Sequence, residues 1–257
     1  MSKIRRVFGV TRSIAMYYGS PLRGRRMRRF YSQFVAPSSL CFDVGAHVGN
    51  RVRCWRQLGA RVIAVEPQPD FARLLRLLYG RDGGVELVQA ALGRTSGNAT
   101  LLVSELTPTV STLSSNWVAS VRAVPSFAGV RWAAGPSVPV ATLDMLIERY
   151  GIPRFVKIDV EGYEAEVLAG LNTAVRALSF EYSPAAPQVA LECVHRLVAL
   201  GSYRFNWSRG ESHELAARDW LDARALRAVL TALPPIATSG DVYAVLSSAA
   251  ALEAAGP

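Results

Sequence analysis

The chain has only three cysteines in 257 residues, Cys41, Cys54 and Cys193, and no two of them form a CxxC pair. An odd number without metal-ligand spacing excludes a disulfide framework and a zinc site, and reads as buried thiols in a reducing cytoplasm. The three histidines, His47, His195 and His213, are scattered, so no pair has metal-ligand spacing. No apolar stretch approaches the roughly 18–20 residues that cross a bilayer. The start, MSKIRRVFGVTRSIAMYYGSP, lacks an unbroken apolar stretch and a small-residue cleavage site, so a secretory signal is not expected. Its arginine-rich character does echo an organellar transit peptide.

Acid is what the first thirty residues lack altogether. They hold nine basic side chains (Lys3, Arg5, Arg6, Arg12, Arg23, Arg25, Arg26, Arg28, Arg29), while the net charge of the whole chain is +9. The body is therefore neutral and the start carries the imbalance. An anionic membrane face, an acidic substrate or nucleic acid could exploit it, nucleic acid least. The plainer reading is a solvated basic helix. Met27, Phe30, Tyr31 and Phe34 fall at i, i+3, i+4 and i+7, which predicts an arm over 1–38 that docks one apolar face on the body, residues 39–257.

Half of the residues are hydrophobic, enough for a sizeable core, and they come in alternating patterns. SLCFDVGA (39–46), RVIAVEP (61–67) and VELVQAAL (85–92) read as strands; GNRVRCWRQLG (49–59) and PDFARLLRLLYG (69–80) read as helices closed by glycine. The alternation resumes with helix 141–151, strand FVKIDVEG (155–162), helix 163–171, strand ALSFEYS (177–183) and helix 187–200. Strands alternating with helices of this length mean βαβ units, hence an α/β fold with a mostly parallel, Rossmann-like sheet covered by helices on both faces. YRFNWS and DVYAVLSS suit an antiparallel pair at its edge. Residues 94–139 interrupt the rhythm, with Trp117, Trp132 and only four charged side chains. That stretch is either an acceptor-binding lid or a hairpin with the tryptophans as core; VSTLSSNW within it reads as loop.

The dinucleotide fingerprint GxGxxG is absent, since Gly45 is followed by Ala-His-Val-Gly. What stands there instead is a series of carboxylates at strand ends: Asp43, Glu66, Asp159, Glu161 and Glu181. Ligands of open parallel sheets bind outside the carboxyl ends of the strands. Gly45 and Gly49 would let backbone approach such a ligand closely, and Glu66 is placed to take two hydroxyls of a ribose.

Together FDVGAHVGN, VIAVEPQP, VQAALG, VPVATLDML and FVKIDVEGYEAEVLAGL resemble the FkbM family of class I S-adenosylmethionine-dependent methyltransferases, most strongly over about residues 40–172. The resemblance implies a seven-stranded sheet with the last strand antiparallel, and methyl transfer to oxygen on sugars or secondary metabolites. It also implies that Asp43, Gly45, Ala46, His47 and Gly49 form the first cofactor motif. Glu66, followed by Pro67, matches the ribose acid, Gln89 and Ala90 the adenine wall, and Asp159 the acid ending the fourth strand.

A hydroxyl acceptor benefits from a positioned base, and Asp159, Glu161 and Glu181 are the candidates. On a strand, Asp159 and Glu161 would point to one side, one holding the cofactor's ammonium and the other facing the acceptor. Each also has a structural alternative: orienting the cofactor, capping the helix from Tyr163, or pairing with an arginine. His47 suits either a cofactor contact or a bonded turn. His195 reads as a structural helix residue and His213 as surface, in a loop that could overhang the sheet. The acids around Asp159 show no clear cage, so no metal is expected. The rival readings are an N- or C-methyltransferase, and an inactive cofactor-binding fold that uses its basic arm.

Overall fold

The structure is a computed structural model that describes residues 21–104 and 106–247, with Thr11 and Ser13. Lys3, Arg5, Arg6 and Arg12 of the basic arm lie outside the described residues. Strands β1 (Leu40–Val44), β2 (Arg61–Val65), β3 (Val85–Val88), β7 (Phe155–Ile158), β8 (Ala177–Tyr182), β9 (Tyr203–Trp207) and β10 (Gly240–Leu246) form one seven-stranded sheet in the order β3-β2-β1-β7-β8-β10-β9. Only β10 runs against its neighbours, β8 and β9, as expected for the last strand. The order reverses between β1 and β7, which are paired in parallel. That is where a doubly wound sheet leaves a crevice.

Strand alternation separates two cores. Phe42, Val44, Ile63, Val156, Ile158, Leu178 and Phe180 face helices α5 (Leu143–Tyr150), α6 (Glu164–Ala169), α7 (Pro187–Leu200) and α8 (Ala223–Ala232). Cys41, Val62, Ala64, Phe155, Ala177 and Tyr243 face α1 (Pro21–Tyr31), α2 (Asn50–Gln57) and α3 (Pro69–Tyr79). The helices start where the chain supplies a cap: Pro69 sets φ for α3 after an extended Gln68, and Thr142 Oγ1 accepts from Met145 N–H at 3.2 Å to begin α5. Met27, Phe30, Tyr31 and Phe34 are all buried, with Phe34 stacked on Phe155 and Tyr243. The three cysteines are buried free thiols. Among the described residues no helix is long and apolar enough to cross a membrane.

VELVQAAL is not one strand. Val85–Val88 belongs to the large sheet, while β4 (Ala91–Leu92) pairs with β6 (Ala133–Ala141) in a separate three-stranded sheet completed by β5 (Gly97–Val103). The reason is position: β3 is the edge of the large sheet, so the chain leaves it at Gln89 without breaking a ladder on its outer side. The stretch 94–139 is thus a β5–β6 hairpin carrying α4 (Ser115–Val121) and two 3-10 turns. Part of VSTLSSNW is helical because Ser114 Oγ accepts from Trp117 N–H at 3.1 Å and starts α4. Trp117, Trp132 and Phe127 make a small core of their own.

Candidate active site

A cleft of about 790 Å³, open to solvent, lies at the carboxyl ends of β1, β2 and β7. Its walls are Gly45 and His47 after β1, Asn50 and Arg51 in the first turn of α2, residues 66–68 after β2, residues 90–92, and Asp159, Glu161 and Tyr163 after β7. The hairpin insertion closes the remaining side with Leu101, Thr109 and residues 111–113. Gly45 holds φ at 84°, and a Cβ there would stand 1.9 Å from Asp159 O. The β1 and β7 turns therefore touch through a position only glycine can fill.

Glu66 is 2% exposed, and its two oxygens accept from His47 N–H and Gln68 N–H, each at 2.8 Å. Burial pushes its carboxyl up to about 7 against the pull of these backbone donors. His47 sits at φ 49° with its ring 4.0 Å from that of Phe71, and burial lowers its imidazole to about 4, so it is neutral.

The acids after β7 are set apart electrostatically. Burial would raise Asp159, but Lys157 Nζ and Arg51 Nη2, each 3.3 Å from its Oδ2, hold it below the usual carboxylate range. Lys157 is fully buried and also pairs with Asp241 at 2.7 Å. Burial and the charges of Asp159 and Glu164 drive Glu161 well above the usual range, and Glu181 is raised by burial and by Glu161. Oxygens of Asp159, Glu161 and Glu181 lie within 4.8 Å of one another, an arrangement able to hold either shared protons or a cation.

A profile of the methyltransferase FkbM domain matches residues 43–222. The chain belongs to the FkbM methyltransferase family. It is also similar to the hexuronic acid methyltransferase AglP of Haloferax volcanii, 28% identical over 167 residues. That match takes in 62% of this chain, and the chain spans about 61% of the length of this curated relative. Among solved structures it is similar to a precorrin-6y C5,15-methyltransferase from Geobacter metallireducens (TM-score 0.46, 11% identity, 86% of each chain). The fibrillarin of Aeropyrum pernix, in complex with S-adenosyl-L-methionine, gives TM-score 0.46 at 9% identity over 82% of this chain and 68% of that one.

In this member of the FkbM family the residues expected at the cofactor divide. Gly45, His47, Glu66, Pro67, Ala90 and Asp159 line the cleft. Asp43 is instead 1% exposed beside Lys157, its cross-strand neighbour, on the sheet face beneath α1 and α2. Ala46 is buried, its N–H bonded to Val65 O. Gly49, at φ 78°, serves the packing of α2 on α3, because a Cβ there would come within 2.8 Å of Leu75 and Tyr79. Gln89 turns away to accept from Arg76, and it is Gln68 that lines the cleft, tied to the insertion by Nε2–H donating to Pro108 O at 3.2 Å.

The strand argument for Asp159 and Glu161 also needs correcting. β7 ends at Ile158, and Glu161 sits in a left-handed turn at φ 55°. Both reach the cleft through that turn and not through strand alternation. Glu181 lines a small neighbouring crevice with Trp117 and Glu164. His195 is exposed on α7. His213 is buried against Phe30 and Tyr31, because its loop folds back over the sheet and brings Glu211 to Arg51 at 3.2 Å. Asn50, Arg51, Gln68 and Tyr163 are lining residues that the sequence did not single out; Arg51 is one of several arginines in RVRCWR, distinguished only by its place in the first turn.

Proposed function

We propose that this FkbM methyltransferase takes its methyl group from S-adenosylmethionine and delivers it to a hydroxyl oxygen of a sugar or secondary metabolite. One observation carries the reading: a single cleft is lined by the buried acid Glu66 on one side and by Asp159 and Glu161 on another. The residues present fit the cofactor. Glu66, its oxygens fixed by two backbone donors, is an acceptor for ribose hydroxyls. Ala90, Leu92 and Leu101 offer adenine an apolar wall, and ionised Asp159 a partner for an ammonium. Asn50 Nδ2, buried on the same wall, has no protein partner. When bound, S-adenosylmethionine supplies a methyl on a sulfonium.

What remains for the chain is to align the acceptor and remove its proton. Glu161 is the base in this reading: it lines the cleft and acts in its ionised form, which burial and the charges of Asp159 and Glu164 confine to higher pH. Glu181, within 4.8 Å, is the group to which that proton can pass. The insertion, with Thr109, Ser111 and Thr112 on the cleft, is the acceptor side. The similarity to a hexuronic acid methyltransferase supports a sugar acceptor. The basic arm, with exposed Arg23, Arg25, Arg26 and Arg29 on α1, suits weak attachment to an anionic membrane surface. A metal has no part in this reading.

The test is methyl transfer from labelled S-adenosylmethionine to a panel of sugars and glycosides, with and without EDTA, and product assignment by NMR. An O-methyl product that forms equally in EDTA supports it. Transfer only to nitrogen or carbon, or none, refutes the acceptor class; abolition by EDTA refutes the metal-free chemistry.

A further inference from the structure

The insertion turns a wall without charge toward the cleft. Leu101, Thr109, Ser111, Thr112 and Leu113 line it. Hydroxyls such as those of Thr109 and Ser111 can meet the hydroxyls of a sugar, but they give a carboxylate no counter-charge. The charge near the acceptor comes instead from Glu161 and the acids around it. Glu161 lines the cleft after β7. Glu164 on α6 is 1% exposed, and its Oε1 accepts from Val160 N–H at 3.1 Å and Gly162 N–H at 3.2 Å, so it grips the backbone on either side of Glu161. Glu181, near the end of β8, brings a carboxylate oxygen within 4.8 Å of one from Glu161.

The cations of the site are committed elsewhere. Among the described residues Arg51 is the only arginine or lysine on the cleft wall, and its Nη2 is shared by Asp159 and Glu211 at 3.3 and 3.2 Å. Lys157 is fully buried between Asp159 and Asp241, at 3.3 and 2.7 Å. Burial and the charges of Asp159 and Glu164 therefore outweigh Lys157 at Glu161 and push its carboxyl well above the usual range. Glu181 is pushed the same way by burial and then by Glu161, Asp159 and Glu164. A negative charge brought in by the acceptor would be repelled, and it would drive Glu161 further from the ionised form that accepts a proton. A neutral acceptor adds no such load, and a cationic one relieves it.

We propose that the acceptor side selects by charge: it takes sugars that are neutral or carry an amino group and rejects sugar acids, with Glu161 and Glu181 as the specificity-determining pair. The proposal rests on the reading of the cleft as a site of methyl transfer to a sugar hydroxyl, and it narrows that reading to one charge class.

Matched methyl glycosides of glucose, galactose and mannose, each as uronate, uronamide and 2-amino sugar, separate charge from shape. Transfer of labelled methyl to each is measured on the full chain between pH 6 and 10. The uronamide, a neutral isostere, should exceed the uronate in kcat/KM by at least about tenfold, the ratio that a single unfavourable charge contact readily produces. The rise of the rate with pH should come earliest for the amino sugar and latest for the uronate. Glu181→Gln should narrow the ratio of uronamide to uronate and move the rise to lower pH. A merely structural Glu181 would slow all acceptors alike and leave the ratio unchanged, which would remove it from the pair. If that variant does not fold, the parent series decides alone. A uronate used as well as its uronamide, or better, overturns the charge selection while leaving sugar methylation standing. No transfer to any member refutes the sugar-acceptor reading, and this proposal falls with it.

Discussion

Glu66 shows how one buried residue ties the site to pH. Its carboxyl is pushed up to about 7 by burial, and in the proposed function it accepts from the ribose in its ionised form. Because the ionised form is the binding form, cofactor affinity should be full above pH 7 and fall as pH drops through it, approaching roughly tenfold per unit. Glu66→Ala should remove that dependence and weaken binding by about 10–100-fold, each charge-assisted bond contributing roughly 1.5–3 kcal/mol. Titrating S-adenosylhomocysteine affinity between pH 5 and 9 on both proteins checks this; a flat parent profile would sink it. Glu161 and Asp159 separate in the same way. Glu161→Gln should keep cofactor affinity and lower single-turnover methylation by at least about 10²-fold. Asp159→Asn should chiefly damage affinity, because it loses the ionised partner that Lys157 and Arg51 maintain.

The informative contact between elements is that of the insertion with the turn after β7. Gly162 holds φ at 83°, and a Cβ there would fall 2.1 Å from Cγ of Trp117 on α4. Thr112 Oγ1 donates to Val160 O at 3.4 Å beside it. The hairpin is thereby anchored to the loop that carries Glu161, which in the proposed function links the acceptor wall to the base. Gly162→Ala combines a left-handed backbone with a displaced tryptophan and should cost about 2–4 kcal/mol. It should also raise the acceptor KM more than it changes cofactor affinity. Urea unfolding and steady-state kinetics would show it; an unchanged midpoint would mean that α4 is not seated on this turn.

For the whole molecule, charge and burial are divided. α1 buries Met27, Phe30 and Tyr31 against the sheet and turns its arginines outward, with Arg26 pairing to Glu214 and Arg28 to Gln57. Since the apolar face begins at Met27, removing residues 1–20 should leave cofactor affinity within a few-fold. Adhesion to anionic vesicles should drop with the truncation and with salt, because exposed charges are screened within about 8–10 Å. Salt-insensitive adhesion would contradict the electrostatic account.

The alternation of strands and helices and the acids Glu66, Asp159 and Glu181 near strand ends were legible in the residues, because they rest on short-range patterns: strand and helix periodicity, caps, and glycine at turns. The lone antiparallel strand came from the family resemblance. Gly45 belongs with the short-range patterns only in part: its turn is local, at φ 84°, but what excludes a side chain is Asp159 O, far along the chain. What lies across long separations was not legible. Arg51 meets Glu211 across 160 positions, and Lys157 is neutralised by Asp241 across 84. Gln68 lines the cleft and Gln89 does not, because the chain leaves the edge strand there and Gln89 turns to Arg76. His213 looked like surface until its loop folded back on α1. In each case a polar side chain's role depends on what desolvates it and which charge is beside it, and only the packed sheet and its two helical layers decide that.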